Sequence, residues 1–205
     1  MKKKQHIYSG RLRSIRPILE SWLSVQEEYF KKAKEYSWLY NERASISILA
    51  AAVWKSGNVA LEEFSALKRS KDKNTKQGRC DIYFTAGQQG FVAEAKHVYI
   101  SAGKSVHISL KKKFDDSLLS AKESSLELQP DRERRLAISF VVPYFPKRDK
   151  NDLENLIDDF IEELSQTNAH AFAYYFVDNF NDCIFDDYYF PGNAILLKEI
   201  KRARS

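Results

Sequence analysis

The stretch "GRCDIYFTAGQQGFVAEAKH", residues 78–97, decides how this chain folds. Two strand-forming runs flank "TAGQQG", which supplies a turn, so the stretch reads as a β-hairpin. A hairpin symmetric about that turn pairs Thr85 with Gly90, Phe84 with Phe91, Tyr83 with Val92, Ile82 with Ala93, and Asp81 with Glu94. Directly opposed residues point to the same side of a sheet. Lys96 lies two residues beyond Glu94 and shares that side, while His97 points the other way. Two carboxylates opposed at about 5 Å between Cβ atoms repel each other. A divalent cation between them reverses the sign of that term.

Upstream, "LYNERASISILAAAVWKSGN" reads as a helix over 39–56 that stops at Gly57. Ile46, Leu49 and Val53 form its apolar stripe, and Glu42 continues the stripe one turn earlier. Glu42 is therefore a candidate third carboxylate, although an acid in a first turn also suits the helix dipole. "VALEEFSAL", 59–67, alternates like a strand, and either Glu62 or Glu63 is an alternative accessory acid. Three carboxylates and a lysine suit phosphodiester hydrolysis. Oxygen ligands hold Mg²⁺, which keeps several waters and takes phosphate oxygens as further ligands.

Working outward, residues 15–38 read as a helix anchored by Ile15, Leu19, Trp22, Leu23 and Tyr29. A basic loop, "LKRSKDKNTKQGR", leads into the hairpin. A helix follows at 109–124, with the stripe Leu110, Phe114, Leu118 and Ala121. "RRLAISFVVPYF", 134–145, is a nearly continuous apolar strand, as expected when both faces are covered. An amphipathic helix, "DLENLIDDFIEELSQ", and the strands "AFAYYFVD" and "NAILLKEI" close the chain. This order predicts an α/β (α+β) fold, a mixed sheet flanked by helices. One domain is the simplest parse, with a basic segment and helix over 1–38 packed on a core over 39–205. The acid-rich "VDNFNDCIFDDYY" fails the calcium-loop pattern and reads as a solvated loop.

Of the 205 residues, 43% are hydrophobic and 30% charged, enough apolar material for a sizeable core. The formal charge is +5, concentrated in residues 1–16, the tail "KEIKRARS" and the run ahead of the hairpin. Solvated termini explain the two ends, but the internal run enters the strand carrying Asp81, which points to a polyanionic partner. Two cysteines without finger spacing exclude a disulfide scaffold and suggest a reducing cytoplasm. No stretch approaches the roughly 20 apolar residues of a membrane span, so a soluble cytoplasmic protein is expected.

The pattern Glu42 … "GRCD" (78–81) … "EAK" (94–96) resembles the PD-(D/E)xK nuclease superfamily, over roughly residues 39–145. The resemblance implies a restriction-endonuclease-like core and Mg²⁺-dependent cleavage of nucleic acid, DNA before RNA, with Mn²⁺ able to substitute. It implies that Asp81 and Glu94 are the principal metal ligands, joined by the Ala95 carbonyl and by Glu42, and that Lys96 is the catalytic lysine. Arg79, Lys73, Lys76, Lys111 and Lys112 are candidate phosphate contacts, Arg79 because the assumed register sets it opposite Lys96. His107 and Lys104 extend that basic patch. Restriction, phage defence, mobile-element processing and repair all use this fold, with specificity from loops, a homodimer or a partner protein. Two departures stand out: Cys80 replaces the Pro often found there, and the helix at 109–124 lacks the Gln-x-x-x-Tyr of the RecB-like branch. The alternative class is a catalytically weak nucleic-acid-binding or interaction module on the same scaffold.

Overall fold

The computed structural model describes residues 4–69, 74–105 and 109–201. Seven strands run across one sheet in the order β1 (Lys4–Tyr8), β6 (Ala171–Phe176), β9 (Gly192–Ile200), β5 (Arg134–Pro146), β4 (Gln89–Ser101), β3 (Thr75–Ala86) and β2 (Ala60–Arg69). Among the described residues only β4 and β5 are parallel, and helix α3 (Leu110–Glu127) is the crossover that a parallel pair requires. A short ribbon, β7 (Ile184–Phe185) with β8 (Tyr188–Tyr189), hangs from the end of β5.

Helices cover both faces. Helices α1 (Arg16–Ala33) and α2 (Glu42–Lys55) bury Trp22, Leu49 and Val53 against Phe84, Phe91, Ile138 and Phe140. On the other face, α3 and α4 (Leu153–Ser165) bury Phe114 and Phe160 against Val141, Phe145 and Phe176. Consecutive residues of β5 alternate between these two cores, so its apolar run reflects burial on both sides, as expected. The fold class is thus the mixed α/β sheet flanked by helices that the element order predicts. Among the described residues no helix is long and apolar enough to cross a membrane.

Several boundaries differ from expectation. Helix α1 ends at Ala33 because Lys34 takes the left-handed conformation, with φ 59°. The chain then forms a 3-10 turn, Ser37–Leu39, whose buried Trp38 donates its indole N–H to the Phe190 carbonyl at 3.0 Å. The basic run ahead of the hairpin is mostly strand: β2 extends to Arg69 and β3 starts at Thr75, paired from Arg69↔Thr75 inward. The basic N-terminus supplies an edge strand, β1, that its charge had obscured. The acid-rich loop folds into a 3-10 turn and the β7–β8 ribbon, burying Cys183.

Candidate functional site

Hairpin register follows the sequence as far as Ile82↔Ala93 and stops there. The Asp81–Glu94 pair is not formed, because β3 turns over at Asp81. Ile82 packs into the core beneath α2, whereas Cys80, two residues earlier, packs with Val92 and Leu128 on the opposite face. Residues i and i+2 of a regular strand share a face, so the strand rotates between them. The β2–β3 ladder shows the same break, pairing Glu62↔Ile82 and Phe64↔Cys80 with no pair at Glu63 and Asp81. Glu63 itself has φ 48°. Beyond this point β3 follows β2 and leaves one edge of β4 open.

Side chains finish the open edge. Asp81 Oδ2 accepts from the Ala95 N–H at 2.8 Å, and Glu42 Oε2 accepts from the His97 N–H at 3.1 Å. The Cys80 thiol donates to the Ala93 and Ile82 carbonyls. A strand residue presents its N–H and C=O to the same side, so the Ala95 carbonyl faces the split beside Asp81. Burial pushes the Cys80 thiol up to about 12, which removes it as a nucleophile.

Glu94 and Lys96 share the α3 face of β4, as the alternation predicts. Their β5 partners Ala137 and Ser139 pack on α3, Ser139 through the Ser117 hydroxyl. Glu94 is buried, its backbone N–H held by the Ser125 hydroxyl of α3 at 3.4 Å. Its carboxylate meets Lys68, with Nζ 2.9 Å from Oε1, an ion pair in which the ammonium lies off the directions of a good hydrogen bond. Burial raises the Glu94 carboxyl to about 7, with the Asp81 charge adding to the rise and Lys68 and Lys96 opposing it. Burial also raises Glu42, against the pull of Lys96. Lys96 is half-buried and has no ion-pair partner among the described residues. His97 turns to the other face, where Nδ1 lies 2.9 Å from the Ser45 hydroxyl of α2.

The remaining candidates separate. Glu62 accepts from the Ser47 hydroxyl, and Glu63 is clamped between Arg43 (2.9 Å) and Arg79 (3.1 Å), so Glu42 is the acid that joins the split. Arg79 is opposite Ser65 of β2 and not Lys96, because β3 has left β4 by then. Lys76 is exposed on β3 opposite Lys68. Lys112 is exposed in the first turn of α3, and Lys111 is paired with Asp115 at 2.6 Å. Both lie at the opposite end of α3 from Ser125, which touches Glu94, so they are not part of the split. Lys73 and His107 lie outside the described residues.

Among the described residues no three Asp, Glu, His or Cys side chains converge closely enough to enclose a metal ion. The expected three-carboxylate cluster is therefore not assembled. What the split offers is smaller: Asp81, the buried Glu94 with its poorly satisfied Oε1, and the Ala95 carbonyl edge. That all-oxygen set fits a hard cation such as Mg²⁺, which is commonly held by one or two carboxylates and completes its shell with water and phosphate. The residue that sequence reasoning missed is Lys68. Its signal was Gly78, a glycine inside a strand, where another group passes close by. Comparison of the chain with known families, with characterised proteins and with solved structures finds no match.

Proposed function

We propose that this chain is a Mg²⁺-dependent nuclease of the PD-(D/E)xK type that hydrolyses phosphodiester bonds of nucleic acid, DNA before RNA. One observation carries the reading: where β3 leaves β4, the open edge gathers Asp81, Glu94, the Ala95 backbone and Lys96, with Glu42 alongside. Asp81 and Glu94, with the Ala95 carbonyl, would hold the cation. Bound there, it supplies charge stabilisation at phosphorus and a more acidic water. Asp81 keeps one carboxylate oxygen on the Ala95 N–H, which fixes the other relative to the strand. Glu42 is anchored in the same way on the His97 N–H. The Lys96 ammonium, attached to the rigid β4–β5 pair, would orient the attacking water and screen charge on the phosphate.

A second reading, a nucleic-acid-binding module that has lost catalysis, is favoured by the Lys68–Glu94 ion pair and the missing three-ligand cluster. One experiment separates the two. Supercoiled plasmid and single-stranded circular DNA are incubated with Mg²⁺ or Mn²⁺ and wild type, Lys96→Ala or Asp81→Asn. The nuclease reading expects cleavage by wild type and a loss of about 100-fold or more in each variant. Metal-independent binding that leaves the DNA intact supports the module. Cleavage that survives in Lys96→Ala overturns the assigned site.

A further inference from the structure

Lys68 is a charged group at the split for which the proposed chemistry has no use, and it touches Glu94 directly. It comes from β2, two strands away from Glu94, and reaches it by crossing Gly78 of β3. A Cβ on Gly78 would lie 2.8 Å from Lys68 Cδ and 3.0 Å from Cγ, so the stem needs the bare backbone. The pair it makes is nearly dry, with the two side chains 15% and 6% exposed. Desolvation offsets much of the Coulomb gain in such a pair, and here Oε1 lacks a well-directed hydrogen bond as well. The Lys68 ammonium therefore stands directly against the carboxylate, in the place a cation would otherwise take.

We propose that Lys68 is a resident counter-ion on Glu94, that a divalent cation displaces it, and that the freed ammonium then engages a phosphate of the nucleic-acid chain. This inference rests on the nuclease reading and describes how that site is regulated. The surroundings suit the second half of the exchange, because Lys68 pairs with Lys76 and is followed by Arg69 at a basic strand end. Cation and polyanion then strengthen each other's binding, since each favours the arrangement the other needs. The site would be completed only when both are present.

The test measures binding, not turnover. Free Mn²⁺ is followed by its electron paramagnetic resonance signal while protein is titrated, with and without a phosphorothioate oligodeoxynucleotide that resists cleavage. In wild type the oligonucleotide should tighten Mn²⁺ binding by about tenfold. Lys68→Met should bind Mn²⁺ about tenfold more tightly than wild type without the oligonucleotide, and the oligonucleotide should add little. Gly78→Ala, which pushes the Lys68 stem aside but keeps its charge, should move affinity in the same direction and serves if Lys68→Met does not fold. Unchanged or weaker Mn²⁺ binding in both variants, or full coupling retained in them, overturns the proposal. Tight binding in Lys68→Met that is lost on adding Glu94→Gln, with no cleavage by wild type, upholds the counter-ion and refutes the nuclease. Cleavage by wild type with Mn²⁺ binding unchanged in Lys68→Met does the reverse. Absence of Mn²⁺ binding in every variant overturns both.

Discussion

His97 sits one residue beyond the candidate catalytic lysine and on the other side of the sheet, with Nδ1 against the Ser45 hydroxyl and Nε2 buried without a partner among the described residues. Burial lowers the imidazole to about 4, so the folded chain binds its proton less readily than the unfolded chain does. Its contribution to stability is therefore present above the ordinary imidazole range near 6.5 and lost as pH falls toward 4. Glu94 acts in the opposite sense: its raised carboxyl favours the folded state below about 4.5 and loses that contribution as pH rises through about 7. Urea denaturation of wild type and His97→Gln at pH 5 and pH 7 should show a smaller acid loss in the variant. Identical pH dependence would contradict a buried neutral His97. The opposite orientations of Lys96 and His97 were legible from strand alternation alone. The Lys68–Glu94 contact was not, because 26 positions separate its partners and no local pattern joins them.

At the scale of elements, the rotation of β3 at Asp81 opens the edge of β4 on which the proposed site rests. The ladder from Thr85↔Gly90 to Ile82↔Ala93 was legible, since turn chemistry and alternation fix it. Its end was not: a strand that turns over keeps the same residue types, and the left-handed Glu63 beside the break gives no sign of itself in sequence. In this geometry the Asp81 carboxylate replaces a missing strand partner. Asp81→Ala leaves the Ala95 N–H without its acceptor and should cost about 1–3 kcal/mol. Asp81→Asn keeps an acceptor oxygen and should cost much less, while still removing the charge a cation needs. Urea midpoints compare the two directly; an Asp81→Ala protein as stable as wild type would mean that the bond does not hold the split.

At the scale of the molecule, two apolar layers fix the frame on which the split opens. Phe160 of α4 is fully buried, with its ring centroid 5.0 Å from Phe114 and 5.8 Å from Phe176. Phe160→Ala should destabilise the fold by about 3–5 kcal/mol in thermal or urea unfolding. A loss below ~1 kcal/mol would argue against that layer's packing. The layers were legible in the apolar run of β5 and the stripe of α4. The order of the strands was not, because most of the sheet is joined by long-range pairings such as β1 with β6 and β5 with β9. On this frame, we propose, the split holds a divalent cation. Anomalous X-ray scattering from crystals soaked in Mn²⁺ tests it most directly. A cation held there gives a single strong peak between Asp81, Glu94 and the Ala95 carbonyl, with Lys68 withdrawn from Glu94. No peak there, with Lys68 still on Glu94 at saturating Mn²⁺, would contradict it.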